Sequence, residues 1–217
     1  MFNQMYHIIK KELVLEIREK YRFLSSIIYL VAICFVIYKV FGSLEGPTKM
    51  ALFWLIFLFT AINIVGESFS FQGQKRKLNY YQLYDPVALF LGKLFFSLIK
   101  LILAGLILIG LQTMLSGQPL LGPVMFFKAF LLSAVGLGVI LNLISAISAY
   151  SDNQNVLVSI MSLPVVIPIL LLAMRVSLIS ERFFVDTAVD RYLLMIGGID
   201  LLLLSLSLIF IPLIWKS

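Results

Sequence analysis

Six apolar stretches of 17 to 29 residues determine what this chain can fold into. A helix rises 1.5 Å per residue, so ~20 apolar residues cross a bilayer core of ~30 Å. The stretches occupy about residues 23–41, 50–66, 87–115, 124–149, 156–178 and 193–215. The connections between them leave no room for a folded soluble domain. The sequence therefore predicts an all-α integral membrane protein with six transmembrane helices, in which residues 1–217 form a single transmembrane domain.

The basic residues predict the orientation in the membrane. A net charge of +6 in a soluble chain would suggest nucleic acid as a partner, but in a membrane protein the positive-inside rule accounts for it. Nine Lys and Arg residues fall on one side, and five fall on the other. The first set is Lys10, Lys11, Arg18, Lys20, Arg22, Lys75, Arg76, Lys77 and Lys216, and the second is Lys39, Lys49, Arg175, Arg182 and Arg191. We expect both termini in the cytoplasm and no nucleic-acid partner.

An amphipathic segment precedes the first apolar stretch. Within residues 5–22 the apolar residues Met5, Tyr6, Ile9, Leu13, Ile17 and Tyr21 recur on one helical stripe, and the charged residues lie mostly elsewhere. The pattern also fits a soluble amphipathic helix. Because a span begins at Phe23, we expect a helix that lies in the membrane interface.

The one long polar interruption is the loop of residues 67–86, which also contains the most concentrated basic run. Its end, residues 78–85, predicts two turns of a tyrosine-rich helix of a kind that fits a groove on a partner protein. The alternative is an ordinary cytoplasmic loop whose charges only fix topology. The candidate docking residues are Glu67, Gly73, Lys75, Arg76, Lys77, Leu78, Tyr81, Tyr84, Asp85 and Pro86.

Three features inside the apolar stretches suggest specialised helix contacts. Ala134 and Gly138 form a small-residue pair on the fourth stretch, where Asn142 is expected to hydrogen-bond across helices. Pro164 and Pro168 interrupt the fifth stretch, which predicts a kink or break at a pathway or a moving interface. Small residues and prolines of this kind mark surfaces where helices approach closely or move.

Asp200 is the one carboxylate within the sixth stretch. We place it about one turn below the outer surface, with Arg175 or a facing serine or asparagine as its partner. A structural ion pair or hydrogen bond is favoured there over a proton relay.

The chain lacks the common catalytic and metal-binding motifs. No P-loop sequence, H-E-x-x-H or C-x-x-C is present, and His7 and Cys34 are the only histidine and the only cysteine. We expect His7 on the surface of the N-terminal helix and Cys34 in the apolar core. The chain is therefore not expected to hydrolyse ATP, to act as an enzyme or to bind a metal or cofactor directly.

The order of these features resembles the haem exporter protein B family. The resemblance rests on the amphipathic helix, two spans, the loop ending in Asp85-Pro86 with Lys93 soon after, and the segment from Leu163 to Leu170 that reads LPxxIPxL. Gly73 and Pro86 correspond to the family's loop glycine and to the proline that opens the third span. These motifs extend over nearly the whole chain.

The resemblance implies a permease subunit of the cytochrome c maturation ABC complex, within the ABC-2 type group. It implies a multi-pass protein of the bacterial inner membrane that works with an ATP-binding subunit, a second copy of itself and haem-handling membrane proteins. ATP would be used by the partner subunit. Haem would be the cargo, or ATP would drive release of a haem-loaded chaperone.

Other functions fit parts of the same pattern. An ABC-2 permease for a lipid-linked glycan or a drug would have similar spans and a similar loop. Two further classes would also be hydrophobic and lack a P-loop. One is a membrane scaffold that assembles partners without transport, and the other is a proton-coupled carrier that uses Asp200.

Overall fold

The chain is helical wherever the structure shows regular elements. The structure is a computed structural model, and it describes residues 2–18, 21–42, 46–66, 68–69, 85–149, 151, 153–182 and 188–216. The seven helices in these ranges are α1 (Phe2–Arg18), α2 (Tyr21–Phe41), α3 (Gly46–Gly66), α4 (Pro86–Ser116), α5 (Pro123–Ser148), α6 (Gln154–Ser180) and α7 (Val189–Lys216). The predicted all-α class is confirmed for the described residues.

Six of these helices, α2 to α7, are long and apolar enough to cross a membrane. The candidate spans are Phe23–Phe41, Gly46–Gly66, Pro86–Ser116, Pro123–Ser148, Val156–Ser180 and Val189–Ile214. The number agrees with the sequence prediction. Two spans begin four residues earlier than expected, at Gly46 and at Val189, because the helices extend through the polar residues that precede the apolar stretches.

Helix α5 lies at the centre of the bundle and packs against α3, α4, α6 and α7. Its small residues allow this close approach. A Cβ atom on Gly138 would lie 2.8 Å from Leu98 Cδ2 on α4, and Ala134 is fully buried. The small-residue face predicted on this helix is therefore a packing face of the bundle.

An aromatic cluster fills the space between α3 and α5. The rings of Phe53 and Phe126 meet edge-on with centroids 5.2 Å apart, and those of Phe57 and Phe130 lie 5.3 Å apart. The Phe130 ring also lies over Gly105 of α4, where an added Cβ atom would fall well inside 3.0 Å of the ring carbons. Three helices are thus fitted around one phenylalanine ring.

Hydrogen bonds join helix ends and connecting residues at the end of the bundle that contains the α4–α5 connection. Gln112 Nε2 donates to the Lys49 carbonyl at 3.2 Å, and Lys49 Nζ donates to the Gln118 carbonyl at 3.5 Å. The Leu121 amide donates to Glu181 Oε1 at 3.2 Å. This end, which we call the stapled end, links the starts or ends of α3, α4, α5 and α6.

His7 and Cys34 occupy the environments expected from their sequence context. His7 is exposed on α1, and Cys34 is buried in the core with a free thiol.

Candidate functional site

The candidate site is the base of the polar loop, where two short segments of the loop are described. Ser68 and Phe69 follow α3, and Asp85 and Pro86 open α4. We call these four residues the loop root. The other predicted docking residues lie outside the described residues: Glu67, Gly73, Lys75, Arg76, Lys77, Leu78, Tyr81 and Tyr84.

Asp85 and Pro86 start α4. The Asp85 backbone is extended, and its side chain accepts hydrogen bonds from the amides of Val87 at 2.9 Å and Ala88 at 3.3 Å. Pro86 occupies the first turn, where its missing N–H costs no helical hydrogen bond. Both residues therefore have a clear structural role, which is to fix the point where the loop returns to the membrane bundle.

Ser68 and Phe69 attach the other end of the loop to α5. Ser68 Oγ donates to Asn142 Oδ1 at 3.0 Å, and the Phe69 amide donates to Ser145 Oγ at 3.3 Å. Phe69 is buried, although it lies just past the end of α3. The loop therefore leaves the bundle from a fixed position.

Asn142 makes the interhelical hydrogen bonds that the sequence predicts. Its Oδ1 accepts from Ser68 Oγ and also from Ser97 Oγ of α4 at 3.3 Å, and its Nδ2 donates to the Gly138 carbonyl at 2.8 Å. A buried amide is costly unless both its oxygen and its nitrogen are bonded. Asn142 meets this requirement and links α4 and α5 to the loop root.

Ser145 and Gln154 complete the polar cluster on the side of α6. Ser145 Oγ donates to the Gly66 carbonyl at 2.9 Å, and Gln154 Nε2 donates to the same carbonyl at 3.3 Å. Gln154 Nε2 also lies 3.2 Å from Ser145 Oγ. The last carbonyl of α3, which has no donor within its own helix, is thereby satisfied by α5 and α6.

Lys93 of α4 joins the loop root to α1. Its ammonium donates to the Ser68 carbonyl, lies 3.2 Å from Glu12 Oε1 and stands 4.9 Å from the centre of the Phe69 ring. The Lys93 side chain is only 7% exposed. An ammonium in such a position needs a counter-charge and hydrogen-bond acceptors, and the three contacts supply both.

A second ion pair continues the contact between α1 and α4. Lys100 Nζ lies 3.2 Å from Glu16 Oε2, and Ile8 packs against Gly92, where a Cβ atom would fall 2.9 Å from Ile8 Cγ2. Lys93 and Lys100 thus face protein, not lipid.

The loop root is connected through side chains to four helices: α1, α4, α5 and α6. We call the connecting residues the root network; they are Glu12, Lys93, Ser97, Asn142, Ser145 and Gln154. The described residues contain no group of three or more His, Cys, Asp and Glu side chains placed to hold a metal ion. The hydrogen bonds and ion pair of the root network suit a mechanical connection between the loop root and the helices.

Pro164 and Pro168 lie within α6, which runs as one helix from Gln154 to Ser180. Of the predicted kink or break, a break does not occur, since the helix continues past both missing N–H groups. Both proline side chains are exposed on the outer face of the bundle. They do not line the interior of this single chain, and their role at a moving interface stays a prediction.

Asp200 lies near the middle of α7, as the twelfth of 26 residues in the candidate span Val189–Ile214. Neither carboxyl oxygen has a hydrogen-bond partner among the described residues. The predicted pairing with Arg175, a serine or an asparagine is wrong: Arg175 is exposed, and the Asp200 carboxyl packs against Gly136.

Several residues of the loop root and of the root network carry no signal in the sequence. Ser68 and Phe69 of the loop root resemble other loop residues, and Ser97 and Gln154 of the root network have no local signature. One signal was present for Glu12. Glu12 and Glu16 lie on one face of α1, and Lys93 and Lys100 lie on one face of α4, so the two faces carry opposite charges. Such complementary faces indicate that two helices pair, but not where they meet.

Comparison with known proteins agrees with this architecture. The sequence matches the family described as CcmB protein over residues 3–212. No individual curated protein matches the chain significantly. A match over nearly the full length, in a chain with six membrane-spanning helices, establishes the family. The chain therefore belongs to the CcmB protein family, the haem exporter protein B family of cytochrome c biogenesis.

Proposed function

We propose that this protein is the transmembrane permease subunit of an ABC transporter that exports or delivers haem during cytochrome c maturation. Residues 1–217 form its single permease domain, and a separate ATP-binding subunit hydrolyses ATP. The observation that carries the proposal is the root network, which ties the base of the basic loop to four helices. Family membership supports the cargo.

The root network supports a role for the loop in receiving force. A loop attached to the bundle only through its two peptide connections would move without disturbing the helices. Here Lys93 and Asn142 bond directly to Ser68, so a displacement of the loop base pulls on α4 and α5. Hydrogen-bonded networks between packed helices transmit such displacements when the helices have a second arrangement.

The exposure of α1 supports its place in the membrane interface on the cytoplasmic side. Its acidic residues Glu12 and Glu16 bind lysines of α4, whereas the apolar side chains of Tyr6, Leu13 and Ile17 are exposed. An exposed apolar stripe next to a transmembrane bundle suits lipid. Because α1 and the loop root share one end of the bundle, the proposal places both in the cytoplasm, as it does both termini.

The proposed partners are an ATP-binding subunit, a second copy of this permease and haem-handling membrane proteins, all in the bacterial inner membrane. Haem is the proposed cargo, either transported directly or released on a chaperone by ATP hydrolysis. The only histidine, His7, is exposed on α1, which is not one of the six candidate membrane spans. Axial ligands for haem iron are therefore assigned to another subunit.

The basic run Lys75–Lys77 provides the direct test of docking. Replacing Lys75, Arg76 and Lys77 with glutamate is expected to abolish co-purification of the ATP-binding subunit and to lower the cytochrome c yield at least about tenfold, because like charges would face each other. Co-purification from native membranes and haem staining of cytochrome c measure the two effects.

The matched control for this test reverses Arg182 and Arg191, which are exposed near the opposite end of the bundle. This double variant should keep the ATP-binding subunit. Normal docking and normal cytochrome c yield in the loop variant, with topology verified by cysteine labelling, would refute the proposed role of the loop.

The exposed prolines on α6 allow a second test, which asks whether α6 must bend for the protein to function. Replacing Pro164 and Pro168 with alanine should strengthen the helix by restoring two backbone hydrogen bonds. We expect normal assembly with the ATP-binding subunit but a lower ATP-dependent cytochrome c yield, because a stiffer α6 resists rearrangement. Full yield from the double variant would contradict a moving role for this face.

A further inference from the structure

The middle of the bundle contains a carboxyl group that the proposed function does not use. Asp200 is 94% buried, since its exposed fraction is 6%. Both of its oxygens lack a hydrogen-bond partner among the described residues. An ionised carboxylate without partners is strongly disfavoured in a medium of low dielectric constant.

The carboxyl group of Asp200 fits a groove that Gly136 creates on α5. A Cβ atom on Gly136 would overlap Asp200 Oδ1 and would lie 2.9 Å from Ile169 Cδ1 of α6. Glycine is thus required for α7 to approach α5 at this depth. Gly197 on α7 differs, because a Cβ atom there would meet no atom within 4 Å.

A second unsatisfied polar group lies on the same helix as the groove. Ser133 is fully buried, and its hydroxyl has no hydrogen-bond partner in the described part of the chain. It precedes Gly136 by three residues, which places both on one side of α5. Each buried polar group without a partner calls for an explanation in a folded protein.

Among the described side chains, no charged group compensates Asp200. The titratable and charged residues of α7 and of the helices packed against it, among the residues whose side chains are described, are Lys93, Lys100, Lys128, Arg175, Asp190, Arg191 and Tyr192. The lysines of α4 are ion-paired with α1, and Lys128, Arg175, Asp190 and Arg191 are exposed. None of these groups forms an ion pair or a hydrogen bond with Asp200.

We propose that Asp200 and the groove at Gly136 form a proton-binding site in the middle of the membrane. The bound proton keeps the carboxyl neutral, and a neutral carboxyl lets α7 pack against α5. Loss of the proton leaves a charge that must attract water or leave the groove, and either event loosens α7. The site is independent of whether the chain works with an ATP-binding subunit.

The first test uses stability as a function of pH. Asn is the neutral isostere of a protonated Asp, so Asp200→Asn should melt at the same temperature as the wild type in acid, near the pKa of about 4 of an exposed aspartate. As the pH rises from there to neutrality, the wild type should lose several degrees of melting temperature relative to Asp200→Asn, because its unfolded chain releases a proton that its folded chain keeps. Thermal melting of the purified protein in detergent gives both curves.

The matched control is Asp190→Asn, which changes an exposed carboxyl on the same helix. It should follow the wild-type curve at every pH. Identical pH dependence in the wild type and Asp200→Asn would overturn the proposal. So would a loss with rising pH that sodium ions prevent in the wild type, since the site would then bind a metal cation.

The second test labels the protonated carboxyl chemically. A hydrophobic carbodiimide takes the proton from a carboxylic acid, the carboxylate adds to its central carbon, and rearrangement leaves a stable N-acylurea. An exposed aspartate is protonated in only about one molecule per thousand at neutral pH. Dicyclohexylcarbodiimide should therefore modify Asp200 but not Asp190 at neutral pH, as read by peptide mass spectrometry.

Labelling at acidic pH, where every aspartate is protonated, measures access to the groove. Asp200 labelled in acid but not at neutral pH would overturn the proposal. If access is closed at both pH values, the melting curves decide the outcome.

The groove itself is tested by Gly136→Ala. This variant should melt several degrees lower than Gly197→Ala, and the difference should shrink in an Asp200→Ala background, where no carboxyl opposes the new methyl group. An equal loss in both backgrounds would show that Gly136 does not hold the carboxyl, and it would overturn the assigned site.

Discussion

Lys93→Met is expected to lower the free energy of unfolding by about 3 kcal/mol, since it leaves Glu12 without its buried counter-charge. It also removes the donor that satisfies the Ser68 carbonyl. For a chain of this size the melting temperature should fall by roughly 8 °C. Thermal unfolding in detergent measures the change, and the cytochrome c yield should fall with it because the loop root loses its link to α1.

The matched control is Lys128→Met, since Lys128 is an exposed lysine on α5. It should leave the melting temperature nearly unchanged. Adding Glu12→Gln to Lys93→Met should recover part of the lost stability, because the stranded carboxylate is neutralised. Equal melting of the Lys93 and Lys128 variants would refute the assigned contacts.

Gly105→Ala is expected to destabilise the bundle by about 3 kcal/mol, at the upper end of the cost of overpacking a core. The new methyl group would overlap the Phe130 ring, which is itself held by Phe57 and Phe53. These two neighbours restrict the movement of the Phe130 ring, so we expect α4 to shift instead. Thermal unfolding measures the loss.

Gly110→Ala on the same helix is the control, because a Cβ atom there meets nothing within 4 Å. Its better helix propensity should stabilise the protein by up to ~1 kcal/mol. Phe130→Leu combined with Gly105→Ala should recover part of the loss by removing the obstructing ring. If the two alanine variants melt alike, the packing around Phe130 is not as described.

The number of spans was predictable because it depends only on local quantities. Apolar length and the polar turns between the stretches determine where helices of membrane-spanning length occur. Asn142 was also predictable as a helix contact, since an amide in an apolar stretch must find partners somewhere. Neither inference requires knowing which helices are neighbours.

The contacts of individual side chains required the tertiary structure. Gly105 and Gly110 look alike in the sequence, and only the position of Phe130 distinguishes them. Lys93 carried a visible charge, but its partner Glu12 lies 81 residues earlier in the chain, at a separation that no local pattern covers. Asp200 stands out in the sequence as a charge in an apolar stretch, but only the tertiary structure shows that Gly136 of α5 leaves room for its carboxyl.

The stapled end has a mechanical consequence for how this bundle can rearrange. With α3, α4, α5 and α6 fastened together there by Lys49, Gln112 and Glu181, a force that breaks the root network at the other end tilts rigid helices about the stapled end. Displacement about a pivot grows with distance from it. An opening driven at the loop root would consequently be widest on that side of the bilayer and vanish at the other, giving a wedge instead of a uniform channel.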